Sequence, residues 1–293
     1  MSNRRAPRAL APLLRSARLE VFPSAGIVDQ VHEHVPAGRT VTVTVTASPT
    51  SGLDATLAVV ERLAPRYRVV PHLAARMVTR DALPELVSRL QGLGVTEVFV
   101  PGGDAAGTAE TFDGALELLL ALDELGRPFE HVGITGYPES HPGIPDEVLV
   151  QSMWDKRRHA TSLVSNMTFD DAALGAWLRW VRERGVTLPV HVGVPGPVDP
   201  ARLLRMATTI GVGDSVRFLR KQRGVLARIA LPGFSSTGFV RKVAALAADE
   251  GLGICGLHLY TFNQVERVEA WRRQQLDALE PLHPGRGGRA TGP

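Results

Sequence analysis

Short runs of apolar residues alternate along the chain with segments whose apolar residues recur every three or four positions. The runs are rich in Val, Ile, Leu and Thr and are bounded by Gly, Pro or Asp, which is typical of strands buried in a parallel sheet. The segments between them, such as 112–125 and 171–184, have the spacing of amphipathic helices. Eight strands are predicted in this way: Arg18–Phe22, Thr40–Thr46, Arg68–Leu73, Glu97–Pro101, His131–Gly136, Ser162–Thr168, Pro189–Val194 and Ile254–Tyr260.

Eight strands, each followed by a helical segment, predict a closed barrel. An open doubly wound sheet shares the alternation but seldom has eight units without a break between domains. The predicted fold is therefore α/β, a single-domain (β/α)8 TIM barrel over residues 18–278. Residues 1–17 are expected to form a basic flexible arm and residues 279–293 a flexible tail. An extra helix is expected around 215–223, between the last two strands.

Composition excludes several classes of protein. The 293 residues are 44% hydrophobic and 22% charged, which is typical of a globular protein rather than a disordered one. No apolar run approaches the roughly 20 residues of a membrane-spanning helix. The single cysteine, Cys255, excludes a disulfide framework and a cysteine-rich metal site. It indicates a reducing compartment, and the expected location is the cytoplasm.

The positive charge is concentrated at the two ends of the chain. The net charge is +3, yet residues 1–19 contain five arginines and no acidic residue, so the body of the chain is net acidic. No basic stripe with interleaved aromatic residues is present, which does not favour a nucleic-acid partner. The expected partners are small molecules, with neither a nucleic acid nor a membrane. The oligomeric state is left open, a monomer included.

The barrel fold indicates where the chemistry should lie, because active sites of such barrels are built at the carboxyl ends of the strands. Polar residues follow most of the predicted strands, and a common central mouth would bring them together. They are Glu20, Thr46, Ser48, His72, Arg76, Asp104, Tyr137, Glu139, His141, Asn166, His258, Tyr260 and Asn263.

Glu20 is the strongest catalytic candidate among them. The string Leu19-Glu-Val-Phe-Pro23 places a carboxylate among apolar residues at the end of the first strand. Burial away from a cation raises the pKa of a carboxyl group, which suits a general acid that works near neutral pH. A salt-bridged residue of the barrel wall is the alternative that the sequence leaves open.

Four other strings carry weaker signals. Val100-Pro-Gly-Gly-Asp104 permits a close approach of backbone to ligand, and a turn with an N-cap aspartate explains it equally well. The loop 137–142 gathers an aromatic residue, an acid and an imidazole between prolines. The string 251–256 matches GxGxxG but precedes a strand, so it predicts a helix end and a turn rather than a dinucleotide site. His32-Glu33-His34 is expected to be a solvated loop, and no metal site is predicted.

Several of these strings together resemble the methylenetetrahydrofolate reductase family. They occur in the order and spacing of that family over roughly residues 18–276. The Tyr-Pro-Glu-x-His-Pro and His-x-Tyr-Thr-x-Asn strings are specific, and the others are weak when taken singly. The matching strings are Leu19–Pro23, Pro71–Leu73, Gly102–Asp104, Gly136–Pro142, Asn166–Asp170 and His258–Asn263.

The resemblance implies a barrel that reduces 5,10-methylenetetrahydrofolate to 5-methyltetrahydrofolate with NADH or NADPH, in one-carbon metabolism and the supply of methyl groups for methionine. Glu20 would be the general acid, and Asp104 would lie near the folate and stabilise a developing cation. The implied substrate-binding residues are Asn166, where the family usually has glutamine, Tyr260 and Asn263. The implied cofactor-binding residues are His72, Tyr137, Thr46 and Lys156.

Departures from the family's flavoenzymes affect the cofactor. Gly102 stands where those enzymes have a flavin-contacting arginine, and Gln264 replaces another arginine. The Ala-Gly-Ala run that follows their flavin-binding lysine is missing after Lys156. This pattern resembles the flavin-independent, actinobacterial-type members, which pass hydride directly from the nicotinamide to the folate, and FAD is expected to be absent.

Three alternatives stay open at this point. The first is an FAD-dependent reductase of the same family with a ping-pong mechanism. The second is a barrel oxidoreductase that uses a flavin or deazaflavin on another pterin. The third is a degenerate barrel without activity that acts as a binding or regulatory partner. The preference between NADH and NADPH is likewise open.

Overall fold

The structure, a computed structural model, describes residues 6–47, 51–103, 105–141, 143–197, 199 and 235–279. Each strand within these ranges lies within a few residues of its predicted position. The strands are β1 (Arg18–Val21), β2 (Gly38–Val45), β3 (Tyr67–Pro71), β4 (Glu97–Phe99), β5 (His131–Gly136), β6 (Ser162–Met167), β7 (Val190–Pro195) and β8 (Ile254–Tyr260).

Helices separate the strands, as the three-and-four spacing predicts. Short 3-10 turns at Ala75–Met77 and Glu250–Leu252 complete the connections. The helices are α1 (Ala6–Arg15), α2 (Ile27–His34), α3 (Gly52–Leu63), α4 (Leu83–Gly92), α5 (Ala115–Glu124), α6 (Asp146–Lys156), α7 (Asp171–Glu183), α8 (Ser236–Ala247) and α9 (Val265–Asp277).

The strands form one parallel sheet in the order β3-β2-β1-β8-β7-β6-β5-β4. The two end strands of this order also meet. His72 forms a parallel bridge with Phe99, the Leu73 amide donates to the Phe99 carbonyl at 2.8 Å, and the Ala75 amide donates to the Pro101 carbonyl at 2.9 Å. The sheet is therefore a nearly closed ring, and the predicted single-domain (β/α)8 barrel is confirmed.

The apolar core has two parts. The larger part fills the layer between the outward side of the strands and the helices. The smaller part is a separate cluster of Val70, Phe99 and Val164 from β3, β4 and β6. Because side chains alternate between the two faces of a strand, these three project into the barrel and form an apolar plug.

Charged residues lie below this plug, at the amino-terminal end of the barrel. The Glu97 carboxylate, almost fully buried, forms an ion pair with Arg18 through one oxygen and accepts a hydrogen bond from Arg68 at 3.1 Å on the other. A buried carboxylate is tolerated when cations neutralise it and occupy its oxygens. This ion cluster joins β1, β3 and β4 across the barrel at the end away from the expected active site.

The amino-terminal segment differs from the expectation of a flexible arm over residues 1–17. Residues 6–15 form α1, whose Leu10, Leu13 and Leu14 are buried against the main core. The Arg272 guanidinium of α9 donates to the Leu14 carbonyl at 2.9 Å and so satisfies a carbonyl at the end of this helix. The spacing of these leucines is that of an amphipathic helix, and their burial holds α1 on the barrel.

Three smaller expectations have mixed outcomes. The prediction of a loop at His32-Glu33-His34 is wrong, because these residues form the last turn of α2. The turn predicted from the GxGxxG string is confirmed, since Gly253 ends a 3-10 helix at φ 65° directly before β8. The expected helix at 215–223 lies outside the described residues, as does the tail from residue 280.

None of the helices within the described ranges combines the length and the apolar character needed to cross a bilayer.

The packing of α1 predicts a specific loss of stability. Leu14→Ala should lower the free energy of unfolding by ~2–5 kcal/mol, because the side chain is fully buried. The matched substitution Leu120→Ala on α5, where the leucine is 44% exposed, should change it by less than ~0.5 kcal/mol. Urea denaturation of both variants provides the measurement, and equal small effects would show that α1 does not contribute to the core.

Candidate functional site

Glu20 lies at the carboxyl end of β1 and projects into the mouth of the barrel. Its partners in the parallel register are Thr44 on β2 and Tyr260 on β8. The residue is only 5% exposed. Its Oε2 atom lies 2.8 Å from Nε2 of His258 and 3.9 Å from Nε2 of His72. The carboxylate is thus held between imidazoles from β8 and from the segment just after β3.

The Glu20–His258 contact is a short hydrogen bond that can carry a proton. Both residues are buried, and one hydrogen between Nε2 and Oε2 satisfies both atoms. Nδ1 of His258 is also buried and has no hydrogen-bond partner among the described residues. Proton exchange along this bond would leave the heavy atoms in place, which suits a group that must deliver a proton.

His72 has a different state. Burial lowers the pKa of His72 to about 4, although the neighbouring Glu20 carboxylate opposes this shift. The ring is therefore neutral at physiological pH. Its Nε2 atom is buried and, within the part of the chain that the structure describes, has no hydrogen-bond partner. The edge of the ring packs against Phe99, with ring centroids 4.7 Å apart.

The surroundings of Glu20 differ from those that its sequence neighbours suggest. Leu19 and Val21 are fully buried in the main core. Adjacent residues of a strand project to opposite faces, so the environment of Glu20 is formed by His72, His258 and other inward residues of distant strands. The expected apolar pocket is thus a polar pocket with two imidazoles.

Two residues of the loop after β8 fix the backbone around Glu20. The hydroxyl of Thr261 donates to the Glu20 carbonyl. Asn263 accepts from the Phe22 amide at 2.8 Å and donates to the Phe22 carbonyl and the Ser24 hydroxyl at 3.1 and 2.8 Å. Asn263, predicted to bind substrate, therefore uses its amide to join the ends of β1 and β8, which gives it a positioning role.

Tyr260 reaches across the mouth from β8 to β6. Its hydroxyl donates to the Ser165 carbonyl at 3.3 Å. Burial, and then the nearby Glu20 carboxylate, raises the pKa of Tyr260 well above its usual value. The hydroxyl therefore stays protonated and can only be a hydrogen-bond donor or acceptor, not a base.

Asn166 lies at the rim of the mouth, where β6 is irregular. The register with β7 shifts between Val164 and Met167, and the exposed Asn166 accepts from the Met167 amide at 2.8 Å through its own side-chain oxygen. Gly193 on β7 permits this geometry, because a Cβ atom there would lie 2.4 Å from the Ser165 carbonyl. The irregularity leaves the side-chain NH2 group of Asn166 at the rim.

A cavity of about 550 Å³ opens near the Glu20 carboxylate, on the side of His72, and extends along β3, β4, β5 and α6. It brings together three of the four residues predicted to bind a cofactor. The polar residues that line it include His72, Arg76, Tyr137, His141, Ser152 and Lys156. The fourth, Thr46, is buried at the end of β2, and its hydroxyl has no hydrogen-bond partner among the described residues.

Lys156 gives this cavity a buried positive charge. Lys156 is only 6% exposed. Burial lowers the pKa of its amine to about 8, against the opposing effect of the neighbouring Asp155 carboxylate. Of the described cavity-lining residues, Arg76 and Lys156 are the cationic ones, apart from the histidines, and Asp113 is the acidic one, so the lining is net positive. The cavity is therefore suited to a ligand with an anionic part.

Buried polar atoms without partners mark the mouth as a binding region. Four of the nine such side-chain atoms in the described ranges lie at the mouth: Oγ1 of Thr44 and Thr46, Nε2 of His72 and Nδ1 of His258. Such atoms are rare in folded proteins unless water or a ligand satisfies them. Asp104, the second predicted catalytic residue, lies outside the described residues, although Gly102 and Gly103 before it line the cavity.

No specific role for His258 was predicted from the sequence. The signal was available, because His258 and Tyr260 are two positions apart and so share one face of β8. In a closed barrel, β8 neighbours β1, which places that face beside Glu20. The Glu20–His258 hydrogen bond itself, however, depends on the register of β1 and β8, which the sequence does not give.

Comparison with known proteins supports the fold and the family. The family model described as methylenetetrahydrofolate reductase matches residues 25–273. A solved structure of oxaloacetate acetylhydrolase in complex with the product oxalate is similar with a TM-score of 0.52 and 10% identity, covering 94% of this chain and 86% of that one. Another structure of oxaloacetate acetylhydrolase gives the same TM-score and identity, over 95% of this chain. At this identity the likeness to solved structures shows the fold alone.

The burial of Lys156 predicts a pH-dependent cost to stability. The folded-state pKa of about 8 lies below the ordinary 10.5, so at pH 7 the amine is charged in both states and the folded state bears the cost of burial. Lys156→Met should therefore raise the free energy of unfolding at pH 7 by up to ~3 kcal/mol. As the pH rises through 8 toward 10.5, the folded wild type loses its proton first, and the difference should disappear.

Urea denaturation of wild type and variant across this pH range provides the measurement. Lys242→Met is the matched control, because Lys242 is exposed and paired with Asp171 at 2.7 Å, and it should lack the alkaline convergence. A gain in stability that does not vary with pH would contradict the assignment of a costly buried charge.

Proposed function

The chain belongs to the methylenetetrahydrofolate reductase family, and we propose that it reduces 5,10-methylenetetrahydrofolate to 5-methyltetrahydrofolate by direct hydride transfer from NADH or NADPH. The observation that carries the proposal is the buried Glu20–His258 hydrogen bond at the barrel mouth, beside the cavity that contains Lys156. Glu20 lies before the residues that the family model matches, so its role rests on this geometry.

The substrate defines what the site must do. The methylene carbon is held between N5 and N10 in a five-membered ring, and it accepts hydride poorly until the ring opens to an N5 iminium cation. Opening requires a proton toward N10, and the cation that forms is stabilised by nearby negative charge. A carboxylic acid in a water-poor pocket is suited to the first task.

In the proposed mechanism Glu20 delivers this proton, and His258 exchanges a proton with it across the 2.8 Å contact. The Thr261 hydroxyl and the Asn263 amide hold the backbone on which Glu20 lies. His72 stays neutral and adds no positive charge beside the cation. Asp104 keeps its predicted role in stabilising the cation.

The cavity side of the mouth is proposed to bind the nicotinamide nucleotide. His72, Tyr137 and Thr46 would contact the part nearest the folate, and Lys156 would pair with an anionic phosphate. Asn166 and Tyr260 would contact the pterin from the opposite side. The main task of this arrangement is to place donor and acceptor carbons ~3–3.5 Å apart, since near-attack geometry supplies much of the rate.

The donor set of the cavity supports a nicotinamide more than a resident flavin. Gly102 contributes no side chain where flavoenzymes of the family have an arginine. Gln264, the other replacement, is 2% exposed and bonded through its amide to the backbone of Asp199 at 2.8 and 3.3 Å. Neither position therefore offers a cation to a flavin pyrophosphate. An FAD-dependent reductase remains the second candidate, because Lys156 and the cavity could serve that cofactor too.

The proposed reaction is placed in the cytoplasm, in one-carbon metabolism. The single cysteine of the chain supports a reducing compartment. Partial burial raises the pKa of the Cys255 thiol to about 11, so this surface-exposed cysteine is a thiol rather than a thiolate at neutral pH.

Glu20→Gln tests the proton donor. The variant should lower kcat for methylenetetrahydrofolate reduction by ~10²–10⁴-fold, since an amide cannot release a proton to N10. It should fold, because the amide oxygen can still accept from His258. Glu33→Gln on α2, where the side chain is 74% exposed, is the matched control and should leave turnover unchanged. Near wild-type turnover by folded Glu20→Gln would rule out the assignment, and a wild type inert toward this substrate with every reductant would favour a binding role.

Initial-velocity kinetics tests direct transfer. Without a resident carrier to store the hydride, both substrates must be bound together, so double-reciprocal lines should intersect when both concentrations are varied. NADH should not be oxidised when folate is omitted. Parallel lines, or oxidation of NADH by an artificial acceptor through a bound yellow cofactor, would establish the FAD-dependent alternative.

A further inference from the structure

Glu20, His72 and His258 offer three potential metal ligands in one buried cluster. One nitrogen or oxygen from each lies within 4.8 Å of the others, and all three residues are buried. They follow or belong to strands β1, β3 and β8, so no sequence spacing reveals the group. We propose that these residues form a binding site for a divalent transition-metal ion, Zn²⁺ in particular, whose occupancy blocks the barrel mouth.

The distances suit a zinc ion. Zinc binds imidazole nitrogen and carboxylate oxygen at ~2.0–2.2 Å in a tetrahedral arrangement, so its adjacent ligand atoms are ~3.3 Å apart. The Glu20 Oε2 atom lies 2.8 Å from the His258 nitrogen and 3.9 Å from the His72 nitrogen. These values lie on either side of the required spacing, and modest side-chain movement would equalise them. Three protein ligands leave the fourth position open.

The electron pairs that the ion requires are available. Nε2 of His72 is buried, faces Glu20 and has no hydrogen-bond partner among the described residues. A neutral imidazole is the form that binds metals through a nitrogen lone pair. This unsatisfied nitrogen is the observation that distinguishes the group from an ordinary carboxylate–imidazole pair.

His258 can become a ligand without a net change of charge. In the metal-free protein one hydrogen lies between its Nε2 atom and Glu20. On binding, that hydrogen moves to Nδ1 of His258, which is buried without a partner in the part of the chain that the structure describes. The hydrogen is kept within the pair, so no proton need be released, and Nε2 is free to bind the ion.

The site has a route from solvent. His72 lines both this cluster and the 550 Å³ cavity that opens beside it, so a hydrated ion can reach the ligands through that cavity. A bound ion would occupy Oε2 of Glu20, the atom that the proposed mechanism uses to hold its proton. Inhibition therefore rests on the proposed function, whereas metal binding does not.

The test uses the full-length protein, treated with a chelator and dialysed, with neither folate nor nicotinamide present. Titration with Zn²⁺ by calorimetry should give one ion per chain. Titration with Co²⁺ should give the intense visible absorption of a tetrahedral site, and Zn²⁺ should abolish it. Binding with only the weak spectrum of octahedral Co²⁺ would overturn the proposal, as would the absence of binding.

Variants then locate the ion. His72→Gln removes a nitrogen that makes no hydrogen bond, so it should fold, and it should weaken Zn²⁺ binding by at least ~10-fold, the lower range seen even for indirect partners of metal ligands. Glu20→Gln should weaken Zn²⁺ binding in the same way. If His72→Gln does not fold, Glu20→Gln provides the test. The controls His34→Gln on α2 and the exposed His131→Gln on β5 should bind as the wild type does. Equal affinity in the triad variants and the controls would refute the site.

A separate activity measurement tests the consequence. Zn²⁺ should inhibit methylenetetrahydrofolate reduction at the concentrations that fill the calorimetric site, and a chelator should restore the activity. Binding without inhibition would overturn the blocking role. A protein that binds the ion at the triad but never reduces the folate would instead refute the proposed function and leave the metal site intact.

Discussion

Closure of the eight-stranded ring is the constraint on which the site depends. Glu20 and His258 are 238 positions apart in the chain, and they form a hydrogen bond only because β1 and β8 pair in parallel. His72 reaches the other side of Glu20 because β2 pairs with both β1 and β3, and the His72 amide donates to the Val45 carbonyl at 2.9 Å. At the opposite end of the barrel the buried Glu97 joins Arg18 and Arg68. Both the Glu20 group at the mouth and the Glu97 group at the opposite end therefore require the paired strands of the ring.

The barrel interior is arranged in layers of different polarity. An ion cluster occupies the amino-terminal end, an apolar plug of Val70, Phe99 and Val164 occupies the middle, and the carboxylate with its imidazoles occupies the mouth. Charged and polar groups inside a protein are costly unless they are paired. The lower cluster is neutralised by ion pairs within the chain, whereas the mouth gathers a carboxylate and two imidazoles beside an open cavity. The adjoining cavity marks the binding end of the barrel.

His72 lies where the two halves of the mouth meet. On one side it faces the Glu20 carboxylate, and on the other it lines the cavity that holds Lys156. Its burial keeps it neutral, while the burial of Lys156 leaves that amine less basic than usual. The buried charge of Lys156 lowers stability, and shifted pKa values of this kind are common at functional sites. The proposed proton delivery, nucleotide binding and metal binding all depend on the position of His72 between Glu20 and the cavity.

The sequence by itself determined the strand positions and the barrel, because each buried strand is an apolar run whose pattern depends only on local sequence. The family followed from the motif strings. The sequence also predicted Glu20 as a catalytic candidate and named His72, Tyr137 and Lys156, which line one cavity. It missed the burial of Leu14 in α1, since the charges of the flanking arginines concealed an amphipathic spacing. The tertiary structure alone decided the environment of Glu20. The residues next to it in sequence face the other side of the strand, so the imidazoles that surround it come from strands that only ring closure and register bring near.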